Sequence, residues 1–310
     1  MGENKQKSIG VDIGGTKIAI AAVENDGKLL FSTEIPTEAD KKFDTAISRI
    51  SDTIERLINQ VGWVTSDISG IGIGCAGPVN PIEGTINNPY TLPEWNNCNI
   101  VIPIYERFNR QIPVFLENDA DAALMGEWYA GSAKGFNTVL MLTFGTGIGG
   151  SVLVNGKIYR GISGEHPEYG HIPVETEGPE CYCGRSGCFE AIASGAAMTT
   201  AGQKECFADS REIFESYRQH CGGGAKKIIE RTLHAISTAA WTFLHTFMPE
   251  SIIIGGGIGE QHFDLFAKCF QKAIKEATMV PSDGIKILKA QMGNKAGVVG
   301  AAYLPWEKDH

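Results

Sequence analysis

The chain has little positive charge: 27 Lys and Arg stand against 36 Asp and Glu, a net charge of −9 over 310 residues, and no basic run is longer than the two lysines of "AKK" at 225–227. That excludes sequence-independent nucleic-acid binding, which needs a basic footprint to neutralise phosphates. No stretch approaches the roughly 18 apolar residues of a membrane span. The opening "MGENKQKSIGVDIGG" lacks the apolar core of a secretion signal. A cytoplasmic protein with no membrane and no nucleic-acid partner is therefore expected. Met1-Gly2 begins like a myristoylation signal, but Gln6 stands where that signal needs Ser or Thr. A low-complexity linker is missing too, so the boundary near Asp119 reads as a hinge and not a tether. With 310 residues the chain is long enough for two lobes, because single cores stop growing at about 250–300 residues.

Cysteine is present, and unevenly placed. Cys75, Cys98, Cys206, Cys221 and Cys269 are scattered among apolar or helical segments, where a thiol serves as a small hydrophobe. Cys181, Cys183 and Cys188 instead crowd behind His171 in "HIPVETEGPECYCGRSGCFE". In a reducing compartment such a cluster favours a metal over disulfides. One imidazole and three thiols are the donor set of a closed, tetrahedral Cys₃His zinc site, although the spacing is not the usual finger pattern and free thiols remain the alternative. Four protein ligands would make the metal structural, since catalytic zinc keeps one position open.

An internal repeat organises the rest. "SIGVDIGGTKIAIAAVE" followed by "NDG" reads as an apolar strand, a Gly/Thr turn, a second apolar strand and a hairpin turn ending at Lys28. The same design returns in "VLMLTFGTGIGGSVLVNGK", ending at Lys157. Gly/Thr turns expose backbone N–H groups and a hydroxyl without side-chain obstruction, which suits an anion. Either turn alone could be a plain hairpin; two, one per lobe, favour a polyphosphate held from both sides. Helical spacing marks "FDTAISRISDTIERLINQVG" and "AKKIIERTLHAISTAAWTFLHTFMPE", a further helix begins near Gly195, and "ISGIGIGCAGPVN", "IPVFLENDA" and "SIIIGGGIGE" read as strands. The closing "AGVVGAAYL" suits a terminal helix packed on another element.

Glu117, Asn118 and Asp119 open "ENDADAALMGE" after an apolar strand, where Asp or Asn ordinarily caps a helix. The functional reading is a carboxylate at the carboxyl end of a strand that deprotonates a substrate hydroxyl, ionised without tuning because free Asp titrates at about 3.9. Phosphoryl transfer needs positioning, Mg²⁺ and such a base, and little else. Asp12, beside Gly14, Gly15 and Thr16, is placed to hold Mg²⁺ through water. Thr16 and Lys17 would reach phosphate oxygens, though Lys17 is equally readable as a solvated surface lysine. The glycine triplet of "IIIGGGIG" would permit close approach to a flat ligand, but neither it nor "GTGIGG" forms the dinucleotide fingerprint, which disfavours a Rossmann dehydrogenase.

Taken in order, "VDIGGTK", "GIGCAGPVN", "ENDADAALMGE", "LTFGTGIGG", "EYGHIPV" with "CYCGRSGCFEAIASG", and "IIIGGGI" resemble the ROK family (repressors, open reading frames, kinases) from end to end. The resemblance implies a two-lobed α/β fold of the actin-like ATPase, ribonuclease H-like class with its active site in the interlobe cleft. It places an N-terminal lobe at 1–119, with a C-terminal helix at about 297–310 packing back on it, and a C-terminal lobe at 120–296 carrying the zinc segment 171–188. It implies an ATP-dependent kinase for the 6-hydroxyl of a hexose, working as a homodimer. Asp119 would be the base, and Gly77, Asn118, Glu168, His171 and Glu190 the sugar neighbours. Asp12, Gly14, Gly15, Thr16, Lys17, Gly145, Thr146 and Gly147 would hold Mg-ATP, with Gly256 and Gly257 beside the nucleoside. His171, Cys181, Cys183 and Cys188 would bind structural zinc, so that the free imidazole nitrogen can donate to a sugar hydroxyl.

The sugar is left open by two conflicting features. "GEHPEYGH" places His166-Pro167 before Glu168, as in fructokinase-like members, while "CYCGRSGCFE" resembles glucokinase-like ones. Glucose is the first expectation, then fructose, mannose and N-acetylated hexosamines. The family also contains sugar-responsive repressors; these need a helix-turn-helix before the first strand, where this sequence has only Met1 to Lys7.

Overall fold

The structure is a computed structural model that describes residues 6–162, 164–220, 222–281 and 283–307; Met1-Gly2 and Cys221 lie outside them. The chain divides into two compact units. The first takes the residues up to Gly135, the segment Ile158–Pro167 and the chain from Gln291 onward; the second takes Phe136–Lys157 and Glu168–Ala290. The first unit thus runs past Asp119 to the end of the following helix.

In the first unit β1 (Lys7–Ile13), β2 (Lys17–Glu24) and β3 (Leu29–Pro36) form an antiparallel meander, and α1 (Phe43–Gln60) leads to β4 (Ile68–Cys75). Three short strands follow, β5 (Val79–Asn80), β6 (Thr85–Ile86) and β7 (Cys98–Asn99), then α2 (Val101–Arg107), β8 (Val114–Asn118) and α3 (Asp119–Ala130). The main sheet has the order β3-β2-β1-β4-β8. β1, β4 and β8 run parallel, with Asp12 level with Gly74 and Cys75 level with Asn118. That register brings Asp12 and the Asn118-Asp119 pair to one carboxyl edge, where open α/β sheets place their ligands.

The second unit repeats the plan with β9 (Val139–Phe144), β10 (Ile148–Val154), β11 (Lys157–Ile158), β12 (Ser251–Gly255) and β13 (Lys286–Lys289), in the order β11-β10-β9-β12-β13. Its helices are α4 (Phe189–Ala193), α5 (Gly195–Gln203), α6 (Ser210–Arg218), α7 (Gly223–Phe247), α8 (Gly257–Gln261) and α9 (Phe263–Glu276). The two hairpins match strand for strand, but the third strand has 8 residues in the first unit and 2 in the second. This is the two-unit mixed α/β arrangement expected of the actin-like class.

Helical periodicity explains α1, whose Ile47, Ile50, Ile54, Leu57 and Ile58 turn one apolar stripe to the core. The last α-helix of the first unit is α10 (Ala296–Tyr303), packed on β1, β4 and α3. Gly10 and Gly72 make this possible, because a Cβ at either would collide with the helix carbonyls of Val298 and Ala301. Glu127 of α3, fully buried, satisfies its carboxylate on the amides of Ser132 (2.8 Å), Gln291 (2.8 Å) and Met292 (2.7 Å) and the Ser132 hydroxyl (3.0 Å). Of the scattered thiols, Cys75 and Cys269 are buried as expected, Cys98 is half-buried and Cys206 is exposed. No helix among the described residues is long and apolar enough to cross a membrane.

Candidate functional site

In the first unit the cap and the carboxylate are different residues. Asn118 caps α3, its Oδ1 accepting from Ala120 N at 2.8 Å and Asp121 N at 3.4 Å. Asp119 is therefore released from capping; its Oδ1 accepts from Ala120 N at 2.9 Å, and among the described residues its second oxygen has no hydrogen bond. Gly77 lies against Asn118, since a Cβ there would stand 2.5 Å from Nδ2. Burial raises the Asp119 pKa above the ordinary carboxylate range, with Asp121 adding to the rise and the Ala120 amide and His166 opposing it. The carboxylate is thus tuned, contrary to the sequence expectation, which could not see its surroundings.

Asp12 stands nearby and is pushed up to about 7, first by burial and then by Asp119. It accepts no hydrogen bond among the described residues and lies against the first turn of α10, where a Cβ on Gly297 would be 2.6 Å from its Oδ2. An oxygen donor so crowded by another carboxylate fits a hard cation such as Mg²⁺. Beside it the Gly14-Gly15-Thr16 turn is closed by Gly14 N donating to Lys17 O at 3.0 Å and braced by Thr37, whose hydroxyl donates to Gly14 O at 2.6 Å. Lys17 points to solvent and pairs with Glu34 at 2.6 Å, so a phosphate would have to take it from that partner.

The segment Ile158–Pro167 supplies two basic side chains, Arg160 and His166, to the strand-helix corner. Arg160 bonds Glu117, which burial and Asp121 push up to about 7 against the pull of Arg160. His166 Nδ1 lies 2.9 Å from Asp121 Oδ2. Sequence reading missed both pairs: Arg160 is 43 residues from its partner and His166 is 45 from its own.

In the second unit His171, Cys181, Cys183 and Cys188 place one ligand atom each within 4.8 Å of one another. His171 Nδ1 is 3.4 Å from Cys181 Sγ, and Cys183 and Cys188 Sγ are 3.5 Å apart, too far for a disulfide. Zinc with Zn–S bonds of about 2.3 Å needs tetrahedral edges near 3.8 Å, so the donors fit that ion. Burial, then the neighbouring Cys183 and Cys181, push Cys188 up to about 12, the cost of another thiolate in this crowd, which a dication removes. The loop is tightened by Cys181 N donating to Arg185 O at 2.8 Å and Phe189 N to Ile172 O at 2.9 Å.

Glu168 is one short turn from His171, whose amide donates to the Glu168 carbonyl at 3.0 Å. Glu190, in the first turn of α4, reaches the second Gly/Thr turn: its Oε2 accepts from Ile148 N at 2.7 Å. The amides of Gly195 and Ala196 hold the carbonyls of Gly145 (2.9 Å) and Thr146 (3.0 Å), leaving Thr146 and Gly147 exposed. Gly256, at φ +79°, is committed to packing, as a Cβ would lie 2.5 Å from Phe144 O; Gly257 faces open space. Tyr182, unnoticed in the sequence, sets its hydroxyl 3.1 Å from His171 Nε2. Desolvation of that hydroxyl, then the charge of the nearby Glu190 carboxylate, push its pKa well above the ordinary phenol range.

Residues 8–308 match the model of the ROK family. The chain belongs to the ROK family. Among its ROK relatives, a glucokinase from Thermotoga maritima is 32% identical over 98% of each chain. A ROK hexokinase from Thermus thermophilus has the same fold at a TM-score of 0.83, with 29% identity over 96% of each chain. A ROK family glucokinase from Streptomyces griseus, solved in complex with glucose and AMPPNP, has a TM-score of 0.74 and 28% identity over 96% of this chain and 98% of that one. Of the ROK motif residues, Asp12, the first Gly/Thr turn, Gly77, Asn118 and Asp119 gather in the first unit, and the zinc ligands, Glu168, Glu190, the second turn and Gly256-Gly257 in the second.

Proposed function

We propose that this chain is an ATP-dependent hexose kinase that phosphorylates the 6-hydroxyl, with glucose as the first-choice sugar and fructose, mannose or N-acetylated hexosamines as the alternatives. The observation that carries the reading is the division of labour at the start of α3. Asn118 supplies the cap, so Asp119 keeps a carboxylate oxygen uncommitted at the carboxyl edge of the sheet, beside Asp12. The full-length similarity to glucokinases supports the choice of sugar.

In this reading Asp119 takes the proton of the sugar hydroxyl as that oxygen bonds the γ-phosphorus and the bond to ADP breaks. Asn118, Glu168, His171 and Glu190 hold the remaining hydroxyls and orient the nucleophile, with Gly77 keeping the Asn118 amide in place. Backbone amides of Gly14, Gly15 and Thr16, and of Gly145, Thr146 and Gly147, cradle the phosphates, and Gly256-Gly257 lie by the nucleoside. Asp12 would hold, through water, the Mg²⁺ that accompanies ATP, which would supply charge neutralisation to the transferring group. His171, Cys181, Cys183 and Cys188 would hold zinc, which would supply a rigid frame and no chemistry. Asp119→Asn is expected to abolish turnover while sugar binding by calorimetry stays measurable; equal loss of both sinks the base assignment.

A further inference from the structure

The Tyr182 hydroxyl sits between two groups assigned above to the sugar. It lies 3.1 Å from His171 Nε2 and close enough to the Glu190 carboxylate to feel its charge; Glu190 Oε2 itself accepts from Ile148 N at 2.7 Å. Its ring stands edge-on to the imidazole, centroids 4.9 Å apart at 89°. Yet the residue is 77% exposed, so no apolar pocket holds the ring and the polar contacts do.

The direction of the His171 bond is informative. His171 Nδ1 faces Cys181 Sγ at 3.4 Å, the metal side, which leaves the proton on Nε2. The imidazole N–H therefore donates to Tyr182 Oη. A sugar hydroxyl held by His171 would accept in the same sense. The backbone of Tyr182 is fixed between two ligands, Cys181 and Cys183, so the ring leaves by side-chain rotation alone.

We propose that Tyr182 closes the sugar site of the free protein, its hydroxyl standing in for a substrate hydroxyl between His171 and Glu190, and that sugar binds by displacing it. This rests on the hexose-kinase reading. The apparent sugar affinity is lowered by the fraction of molecules in which Tyr182 is in place. Sugars that present a hydroxyl able to accept from His171 are selected, because only they replace the bond that Tyr182 gives up.

The test uses zinc-loaded full-length protein with Tyr182→Phe and Tyr182→Ala. Sugar affinity is measured by calorimetry without nucleotide, KM and kcat by ADP release, and zinc by metal analysis. Both variants are expected to bind sugar about two- to tenfold more tightly, the range of one net hydrogen bond, with kcat, nucleotide KM and zinc content unchanged. Weaker sugar binding in both variants would make Tyr182 a permanent sugar contact and overturn the proposal. Unchanged affinity, or loss of zinc with either variant, would reduce it to a prop of the cysteine loop and overturn it equally. Should the wild type neither bind nor phosphorylate any hexose, the kinase reading itself fails and this one falls with it; the wild-type control separates the two failures.

Discussion

His166 Nδ1 lies 2.9 Å from Asp121 Oδ2, and the two side chains are only 8% and 1% exposed. This contact joins the Ile158–Pro167 segment to the first turn of α3, two residues beyond Asp119. Together with Arg160 on Glu117 it sets a basic side chain against each neighbour of the proposed base, along the alternate positions 117, 119 and 121. A short excursion of the chain thereby contributes to the electrostatics around Asp119.

That arrangement predicts a pH effect. A general base works only when ionised, and burial raises the Asp119 pKa while His166 lowers it. The acid limb of kcat/KM therefore lies above the ordinary carboxylate range, activity rising with pH. His166→Asn removes the lowering influence and is expected to move the limb to higher pH, with the plateau rate less affected. An unmoved limb would separate His166 from Asp119.

Removing Arg160 leaves Glu117 buried without its cation. Arg160→Met is expected to destabilise the fold at pH 8 by about 3 kcal/mol, the lower end for a broken buried pair because Arg160 is 27% exposed. Glu117 has a folded pKa raised to about 7, so its neutral form is favoured in the native state and stability is lost as pH rises through that value. The Arg160→Met penalty should accordingly shrink toward pH 5, and Glu117→Gln added to it should restore much of the loss. Denaturant midpoints at the two pH values check both statements.

Cys183→Ser takes one donor from the cluster and is expected to release zinc, measured by metal analysis. Because Glu168 and His171 share one turn anchored by the cluster, sugar KM should rise on the order of tenfold or more. A metal-free, fully active variant would contradict the structural role.

What the sequence disclosed was whatever is local in it. The two Gly/Thr hairpins, the apolar run of β4 and the close spacing of His171, Cys181, Cys183 and Cys188 each depend on neighbours a few residues away, and they led to the sheets and the cluster. The distribution of labour between Asn118 and Asp119 was half legible: a cap was evident, but which residue provides it is decided by backbone geometry. The Ile158–Pro167 excursion was not legible, because its meaning lies in charges more than forty residues distant. The tuning of Asp12 and Asp119 was hidden for the same reason, since it arises from strand register across β1, β4 and β8. The glycine triplet was read for close approach to a ligand; the packing of Gly256 on the Phe144 backbone was not legible, and Gly257 faces open space.

The most direct test of the central claim is ADP release from zinc-loaded protein with Mg-ATP and, separately, glucose, fructose, mannose, N-acetylglucosamine and N-acetylmannosamine, with the product position read by phosphorus NMR. The account predicts one dominant sugar, phosphorylated at its 6-hydroxyl. Absence of ADP release with every sugar, from folded and zinc-loaded protein, would contradict it.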